Sequence, residues 1–135
     1  MSLVTWDESY SVKVSQCDVD HKKLFELINA LHDAMSAGDR KSVVAQVIDE
    51  LTDYATYHFA TEEAMLEKTK YPQLASHRRE HLIFMNEARR LQRDLAALKG
   101  GQALTVVVFL NDWLLNHIRQ TDQRYSAHLN AGGVI

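Results

Sequence analysis

The sequence contains few of the residues that interrupt helices. Its 135 residues include five glycines and one proline, Pro72. Because both residue types destabilise helix interiors, this scarcity favours a helical protein. The length suits one ordinary domain, and hydrophobic residues make up 46% of the chain, which is enough for one buried core.

The sequence has a single cysteine, Cys17, which excludes a disulfide framework within the chain. We expect a free thiol, which suits a reducing cytoplasm. The first residues lack a basic segment followed by an apolar run, so we expect no secretion signal. The longest apolar stretch, 103–110, is far too short to span a bilayer. The sequence therefore predicts a cytoplasmic protein with no membrane partner.

The sequence also lacks an excess of basic residues. Its formal net charge is −3, whereas nucleic-acid-binding domains are usually basic. Several arginines lie between residues 78 and 93, but Glu80, Glu87 and Asp94 are interleaved with them or follow them. This mixture is typical of a solvated helix face. We therefore expect no nucleic-acid partner.

Apolar residues recur at three- and four-residue steps in four long segments, which is the pattern of amphipathic helices. The predicted helices run from about 18 or 20 to 37, from 40 to 68, from 73 to 99 and from 104 to 129. Asp18 or Asp20 could cap the first helix, and Gly38 ends it. Pro72 separates the second helix from the third, and Gly100 with Gly101 stops the third.

Four such helices joined by short turns predict an all-α fold, an up-down-up-down four-helix bundle. Residues 1–17 lack helical periodicity but include Trp6 and Tyr10. We expect them to form an ordered N-terminal arm whose aromatic rings pack on the bundle. With a bundle over 18–129 and a tail over 130–135, residues 1–135 are predicted to form a single domain.

Seven side chains that can bind metal lie on or near the apolar faces of these helices. They are His21, His58, Glu62, His77, His81, His117 and Asp122. Residues four apart lie one above the other on a helix, so His58 with Glu62 and His77 with His81 can each point at one place in the core. Burying so many polar groups without partners would cost several kcal/mol. A metal centre built from facing helices would satisfy them.

His117 and Asp122 do not fit a regular helix, because five residues correspond to a rotation of about 140°. Either the last helix tightens or bulges locally, or Asp122 reaches back from a turning end. A π-type bulge would reduce the mismatch, and such bulges are frequent at functional sites. The two remaining histidines are not expected to bind metal: His32 is predicted to lie at the edge of the core, and His128 to be solvated near the C-terminal end.

Imidazole and carboxylate ligands without a thiolate suit iron, zinc, copper or manganese. A single zinc ion needs only four ligands. Seven candidate ligands therefore indicate two ions, with the carboxylates as natural bridges.

The order of these residues resembles the ligand pattern of the hemerythrin family, in its bacterial single-domain form. The similarity spans nearly the whole chain, including Trp6 and the stretch 113–118 around His117. The resemblance implies two iron ions joined by an oxo or hydroxo bridge. It implies that His77, His81 and His117 bind one iron, that His21 and His58 bind the other, and that Glu62 and Asp122 bridge both.

Under this assignment the first iron has six ligands and the second has five, so one position is open to O2. The resemblance therefore implies a non-enzymatic protein that binds O2 reversibly for storage, delivery or sensing. We expect five side chains to form or adjoin the oxygen pocket: Leu114, Trp113, Phe25, Ile28 and Ile118. Phe25 and Ile28 fit equally well as ordinary core residues.

Other functions stay open from the sequence. The same site could serve a di-iron oxidase or peroxidase, although oxidase bundles usually contain more glutamates and paired Glu-x-x-His motifs. It could also serve a regulatory module that senses O2 or nitric oxide and acts through a protein partner. A structural zinc bundle would need fewer ligands.

Overall fold

The computed structural model describes residues 3–38, 41–98 and 100–135, and these residues contain no strand. The helices are α1 (Ser15–Ser36), α2 (Lys41–Lys68), α3 (Leu74–Asp94), α4 (Gly100–Asn116) and α5 (Gln123–Ala131). A short 3₁₀ helix spans Glu8–Tyr10, and a π-helical segment, His117–Asp122, joins α4 to α5. Together α4, the π-helical segment and α5 form one long fourth helix of the bundle.

The predicted four-helix bundle is confirmed. Helix α1 packs against α2 and α4, and α3 packs against the same two helices. Each helix therefore packs between two neighbouring helices and directs one side toward the core of the bundle. None of the described helices combines the length and the apolar character that crossing a bilayer requires.

The N-terminal arm is ordered and packs on the bundle, as expected. Val4 and Tyr10 are buried in the main apolar cluster. The side chain of Asn29 on α1 accepts hydrogen bonds from the backbone N–H groups of Leu3 and Val4, at 2.9 and 3.0 Å. Its amide nitrogen donates to the carbonyl of Val4 at 2.7 Å. These bonds fix the arm to α1.

The prediction that Asp18 or Asp20 caps the first helix was wrong, because α1 begins earlier, at Ser15. Asp18 instead accepts hydrogen bonds from the hydroxyl of Ser11 at 2.6 Å and from the backbone N–H of Val12 at 2.9 Å. Its carboxylate therefore connects the arm to α1. Asp20 is buried inside the bundle.

The helix ends differ from prediction mainly around the third connection. Helix α1 ends two residues before Gly38, whose φ of +73° fits the expected glycine stop. Helix α3 ends at Asp94, and Gly100 begins α4 instead of ending α3. The conformational-entropy cost of a glycine applies mainly to helix interiors, so a glycine is tolerated at a helix end. The predicted end at 99 and the predicted start at 40 lie outside the described residues.

Buried apolar residues form two clusters. Along α1, Cys17 belongs to the smaller cluster and Leu24 to the larger one, with His21 between them. Along α2, Glu62 similarly lies between Phe59 of the larger cluster and Leu66 of the smaller one. The candidate ligands therefore form a polar layer between two apolar layers.

Candidate metal centre

The seven candidate ligands come together in the interior of the bundle, and each is at most 3% exposed. Their donor atoms fall into two overlapping groups. One group contains Glu62, His77, His81, His117 and Asp122. The other contains His21, His58 and Glu62. Within each group every donor atom lies within 4.8 Å of the others, which is close enough for one cation to contact them all.

The carboxylate of Glu62 divides its two oxygens between these groups. Oε1 lies 2.6 Å from Nε2 of His77 and 3.0 Å from Nε2 of His81. Oε2 lies 3.1 Å from Nε2 of His58 and 3.6 Å from Nε2 of His21. One carboxylate thus faces both halves of the site.

Asp122 is arranged in the same way. Its Oδ1 lies 3.1 Å from Nε2 of His77 and 3.0 Å from Nε2 of His117. Its Oδ2 lies 3.3 Å from Nε2 of His21. Two carboxylates that each present one oxygen to each half can bridge two cations.

The π-helical segment His117–Asp122 explains how the last pair meets. A π turn closes over one more residue than an α turn, so residues five apart return to the same side. The predicted local distortion of the fourth helix is therefore present. Both side chains are buried.

The protein groups of the site strongly perturb one another's protonation. Burial alone would lower the pKa of His21, but Asp122 and Glu62 outweigh it and raise the pKa to about 9. Against the same opposing burial, these carboxylates raise the pKa of His77 to about 10. Asp122, with Glu80 and Glu62, raises the pKa of His117 to about 9. Burial would raise the pKa of Glu62, but the surrounding histidines hold it well below its usual value. The two carboxylates therefore need positive charge beside them.

Two of the histidines are hydrogen-bonded to carboxylates on their outer side. Nδ1 of His58 lies 2.9 Å from Oδ2 of Asp20, and Nδ1 of His81 lies 2.7 Å from Oε2 of Glu63. An ionised carboxylate only accepts hydrogen bonds, so each Nδ1 donates. A neutral imidazole in this state has a bare lone pair on Nε2, the atom that faces the centre of the site.

Several buried atoms of the site lack a hydrogen-bond partner among the described residues. They include Nε2 of His117 and both carboxylate oxygens of Asp122. Nε2 of His117 and Oδ1 of Asp122 are only 3.0 Å apart, so their distance suits a hydrogen bond but their directions do not. Donor atoms that point at a shared place instead of at each other fit a cation.

Aromatic rings cover two of the histidines. The indole of Trp113 stacks on His117, with ring centroids 4.4 Å apart and planes inclined by 13°. Phe59 stacks on His81 with a centroid distance of 3.9 Å and an angle of 11°. These flat contacts restrict rotation of both imidazoles.

The residues expected around an oxygen pocket lie in the larger apolar cluster. Leu114, Phe25, Ile28 and Ile118 are at most 3% exposed, and Trp113 is half-buried. The cluster borders the polar layer through Leu114 and Ile118, which flank His117 in the sequence. That they enclose bound oxygen stays a prediction.

The two histidines set aside by the sequence lie outside both donor groups. His32 is partly buried, as expected for a core-edge residue. The prediction of a solvated His128 was wrong: its Nε2 is 2.8 Å from the carbonyl of Thr69, and it is half-buried. The chain end is held in place, because the N–H of Val134 donates to the carbonyl of Leu129.

Sequence reasoning missed several polar neighbours of the site. They are Asp20, Glu63, Glu80 and Tyr125, whose hydroxyl donates to Oε2 of Glu62 at 2.8 Å. The spacing of Tyr125, three residues after Asp122, was the available signal. Cys17 is free, as expected, and fully buried, so it has no surface for an intermolecular bond.

Residues 12–129 match the hemerythrin HHE cation binding domain. The chain belongs to the hemerythrin family. Bacteriohemerythrin of Stenotrophomonas maltophilia is 35% identical to this hemerythrin-family chain, covering 96% of it and 86% of the relative. Myohemerythrin-1 of Phascolopsis gouldii is 33% identical, and the match covers 92% of each chain.

The fold comparison agrees with this assignment. A crystal structure of wild-type hemerythrin superposes with a TM-score of 0.85 at 32% identity, covering 95% of this chain and 98% of the other. The resemblance inferred from the order of the candidate ligands is therefore confirmed at the level of the family.

Proposed function

We propose that this chain holds two iron ions and uses them to bind O2 reversibly. In this proposal His77, His81 and His117 bind one iron and His21 with His58 binds the other. Glu62 and Asp122 bridge the two ions, together with an oxo or hydroxo group. The division of each carboxylate's oxygens between the two histidine groups supports this assignment.

One contact supports a cation most directly. Nδ1 of His81 donates to Glu63, and its Nε2 lies 3.0 Å from Oε1 of Glu62. A neutral ring would have no proton on this Nε2. Two acceptors would then face each other in a buried place, which is unfavourable. A cation between them turns this conflict into two ligand bonds. The donor set, five imidazoles and two carboxylates, suits iron.

The surroundings favour reversible binding over turnover. Iron held by the seven donors would supply the redox chemistry that reversible O2 binding requires. The protein groups keep water away, because apolar layers lie on both sides of the site, and solvent access and local polarity tune such centres. The site also contains only two carboxylates among its seven donors. We therefore propose a carrier of O2 and not an oxidase.

Ligand counting indicates where O2 binds. Three imidazoles serve one ion and two serve the other, while the carboxylates contribute equally to both. If both ions are six-coordinate, the ion held by His21 and His58 therefore has one coordination position that no protein side chain and no bridging group fills. We propose that O2 enters there, in a single-domain protein of the cytoplasm whose role is storage, delivery or sensing through a protein partner.

The proposal is tested by iron analysis together with visible absorption in air and after reduction. We expect about two irons per chain and an absorption band that appears with O2 and disappears on its removal. Glu62→Ala should abolish the band and the paired ions, whereas Glu67→Ala, at a side chain that is 69% exposed, should leave both. Fewer than two irons in the unchanged chain would contradict the proposal. Steady consumption of a reductant with O2 would instead indicate an enzyme.

A further inference from the structure

A buried carboxylate that is not among the seven donors lies behind His58. Asp20 on α1 is 1% exposed. Its Oδ2 accepts from Nδ1 of His58, and its Oδ1 accepts from Nε2 of Gln16 and from the hydroxyl of Tyr54, each at 2.9 Å. Three donors from two helices therefore fix this carboxylate.

These contacts determine what His58 presents to the site. Because Nδ1 donates to Asp20, the ring is held in one orientation with the lone pair of Nε2 directed inward. That Nε2 lies 3.1 Å from Nε2 of His21 and 3.1 Å from Oε2 of Glu62. In contrast, Nδ1 of His21 has no hydrogen-bond partner among the described residues. Of the two imidazoles at this end of the site, only that of His58 is therefore held by a hydrogen bond on its outer side.

Asp20 also differs from the other outer carboxylates. Glu63, behind His81, is 24% exposed and shares its charge with Arg78 at 3.1 Å. Glu80 is 3.7 Å from Nδ1 of His117 and is 36% exposed. Within the described residues no lysine or arginine forms an ion pair with Asp20. The negative charge of Asp20 therefore acts on His58 with little screening.

We propose that Asp20 is a positioning residue that orients His58 and strengthens it as a metal donor, and that Tyr54 and Gln16 hold Asp20 in place. This inference rests on the proposed function of the site as a two-metal centre. A carboxylate hydrogen-bonded to a ligating histidine fixes the ring and raises its basicity. The negative charge of Asp20 also favours the oxidised state of the ion at the end where we place O2. We therefore expect Asp20 to affect the affinity and the reduction potential of this ion more than those of the other.

The test is a titration of the apoprotein with Co²⁺ under anaerobic conditions. The unchanged chain should bind two Co²⁺ ions. In Asp20→Asn one binding step should weaken by about 10- to 100-fold, which is the usual loss for such a change, while the other step is largely kept. Asp53→Asn is the matched control, because Asp53 is an exposed acid beside Tyr54 in sequence, and it should bind like the unchanged chain.

A second variant covers the case in which Asp20→Asn does not fold. Tyr54→Phe removes one donor to Asp20 at a half-buried position, and should weaken the same single step by a smaller factor. In the iron-loaded protein Asp20→Asn should shift the reduction potential positive, because the oxidised metal loses a nearby negative charge. Tyr54→Phe should also change the potential, because one of the donors that hold this charge is removed. A residue with a merely structural role would alter stability without this shift.

The outcomes separate the two proposals. Two ions bound as tightly by Asp20→Asn and Tyr54→Phe as by the unchanged chain would overturn the role of Asp20. If Asp20→Asn fails to fold, unaltered binding and potential in Tyr54→Phe would overturn it equally. A chain without substitutions that binds fewer than two Co²⁺ ions would contradict the two-metal centre itself.

Discussion

Nε2 of His117 lies 3.0 Å from Oδ1 of Asp122, although the two residues are five positions apart in the sequence. In a regular α-helix these side chains would diverge by about 140°. The π-helical segment between them removes the divergence. Between these two donors the fourth helix therefore includes one residue more than an α-helical turn needs.

This geometry predicts opposite effects for removing and adding a residue. Deleting Gln120, which is exposed, leaves His117 and Asp122 four residues apart, a spacing that a regular α-helix brings to one face. We expect this variant to keep both metal ions. Inserting an alanine after Gln120 should rotate Asp122 away by about 100° and abolish binding of at least one ion, as measured by metal analysis. Retained binding after the insertion would argue against Asp122 as a bridge.

His77 and His128 form a matched pair of histidine substitutions on one protein. Nε2 of His77 contacts both candidate bridges, at 2.6 Å to Glu62 and 3.1 Å to Asp122. His77→Ala should therefore reduce the metal content from two ions per chain to one or none. His128 contacts a backbone carbonyl outside the site, so His128→Ala should retain both ions. Equal metal contents in the two variants would count against the assignment of His77.

Leu114 tests the expected oxygen pocket. Its side chain is 1% exposed, so Leu114→Ala should create a cavity and lower the free energy of unfolding by about 2–5 kcal/mol. If the leucine excludes water from bound oxygen, the same variant should lose its oxygenated form faster in air. Leu82→Ala, at a side chain that is 55% exposed, is the control for both measurements. A destabilised variant with an unaltered oxidation rate would place Leu114 in the core but not in the pocket.

Asp18 tests the connection between the arm and α1. Its carboxylate accepts two hydrogen bonds from the arm, and hydrogen bonds to a charged group contribute about 1.5–3 kcal/mol each. Since Asp18 is only partly buried, we expect Asp18→Ala to lower the unfolding free energy by about 1–3 kcal/mol in urea titrations. Asp53→Ala should change it little. An unaffected midpoint for Asp18→Ala would mean that apolar contacts alone hold the arm.

The sequence predicted the bundle and the convergence of the candidate donors because both follow from local spacing. Pairs four residues apart share a helix face wherever the helix lies. The mismatch between His117 and Asp122 predicted either a local distortion or an Asp122 that reaches back from a turning end, and the structure has the distortion. The hemerythrin resemblance then supplied the pairing of ligands with ions. These predictions needed no knowledge of contacts between distant residues.

What the sequence could not give depends on tertiary contacts. Asp20 looked like a helix cap because it lies at the expected start of the first helix, whereas its partners Tyr54 and His58 are more than thirty residues away. The contact of His128 with Thr69 is equally distant in sequence. Gly100 was expected to end a helix, but the preceding helix had already ended at Asp94.

Because Trp113 stacks on His117, the fluorescence of this tryptophan should respond to a metal bound at His117. An iron ion bound to that imidazole would lie one ring away from the indole and would quench its ultraviolet emission. Trp6, the other tryptophan, packs instead against Tyr10 of the arm and Phe25 of α1. Loading and loss of iron could thus be followed in real time as a decrease and recovery of the tryptophan fluorescence, without any added dye.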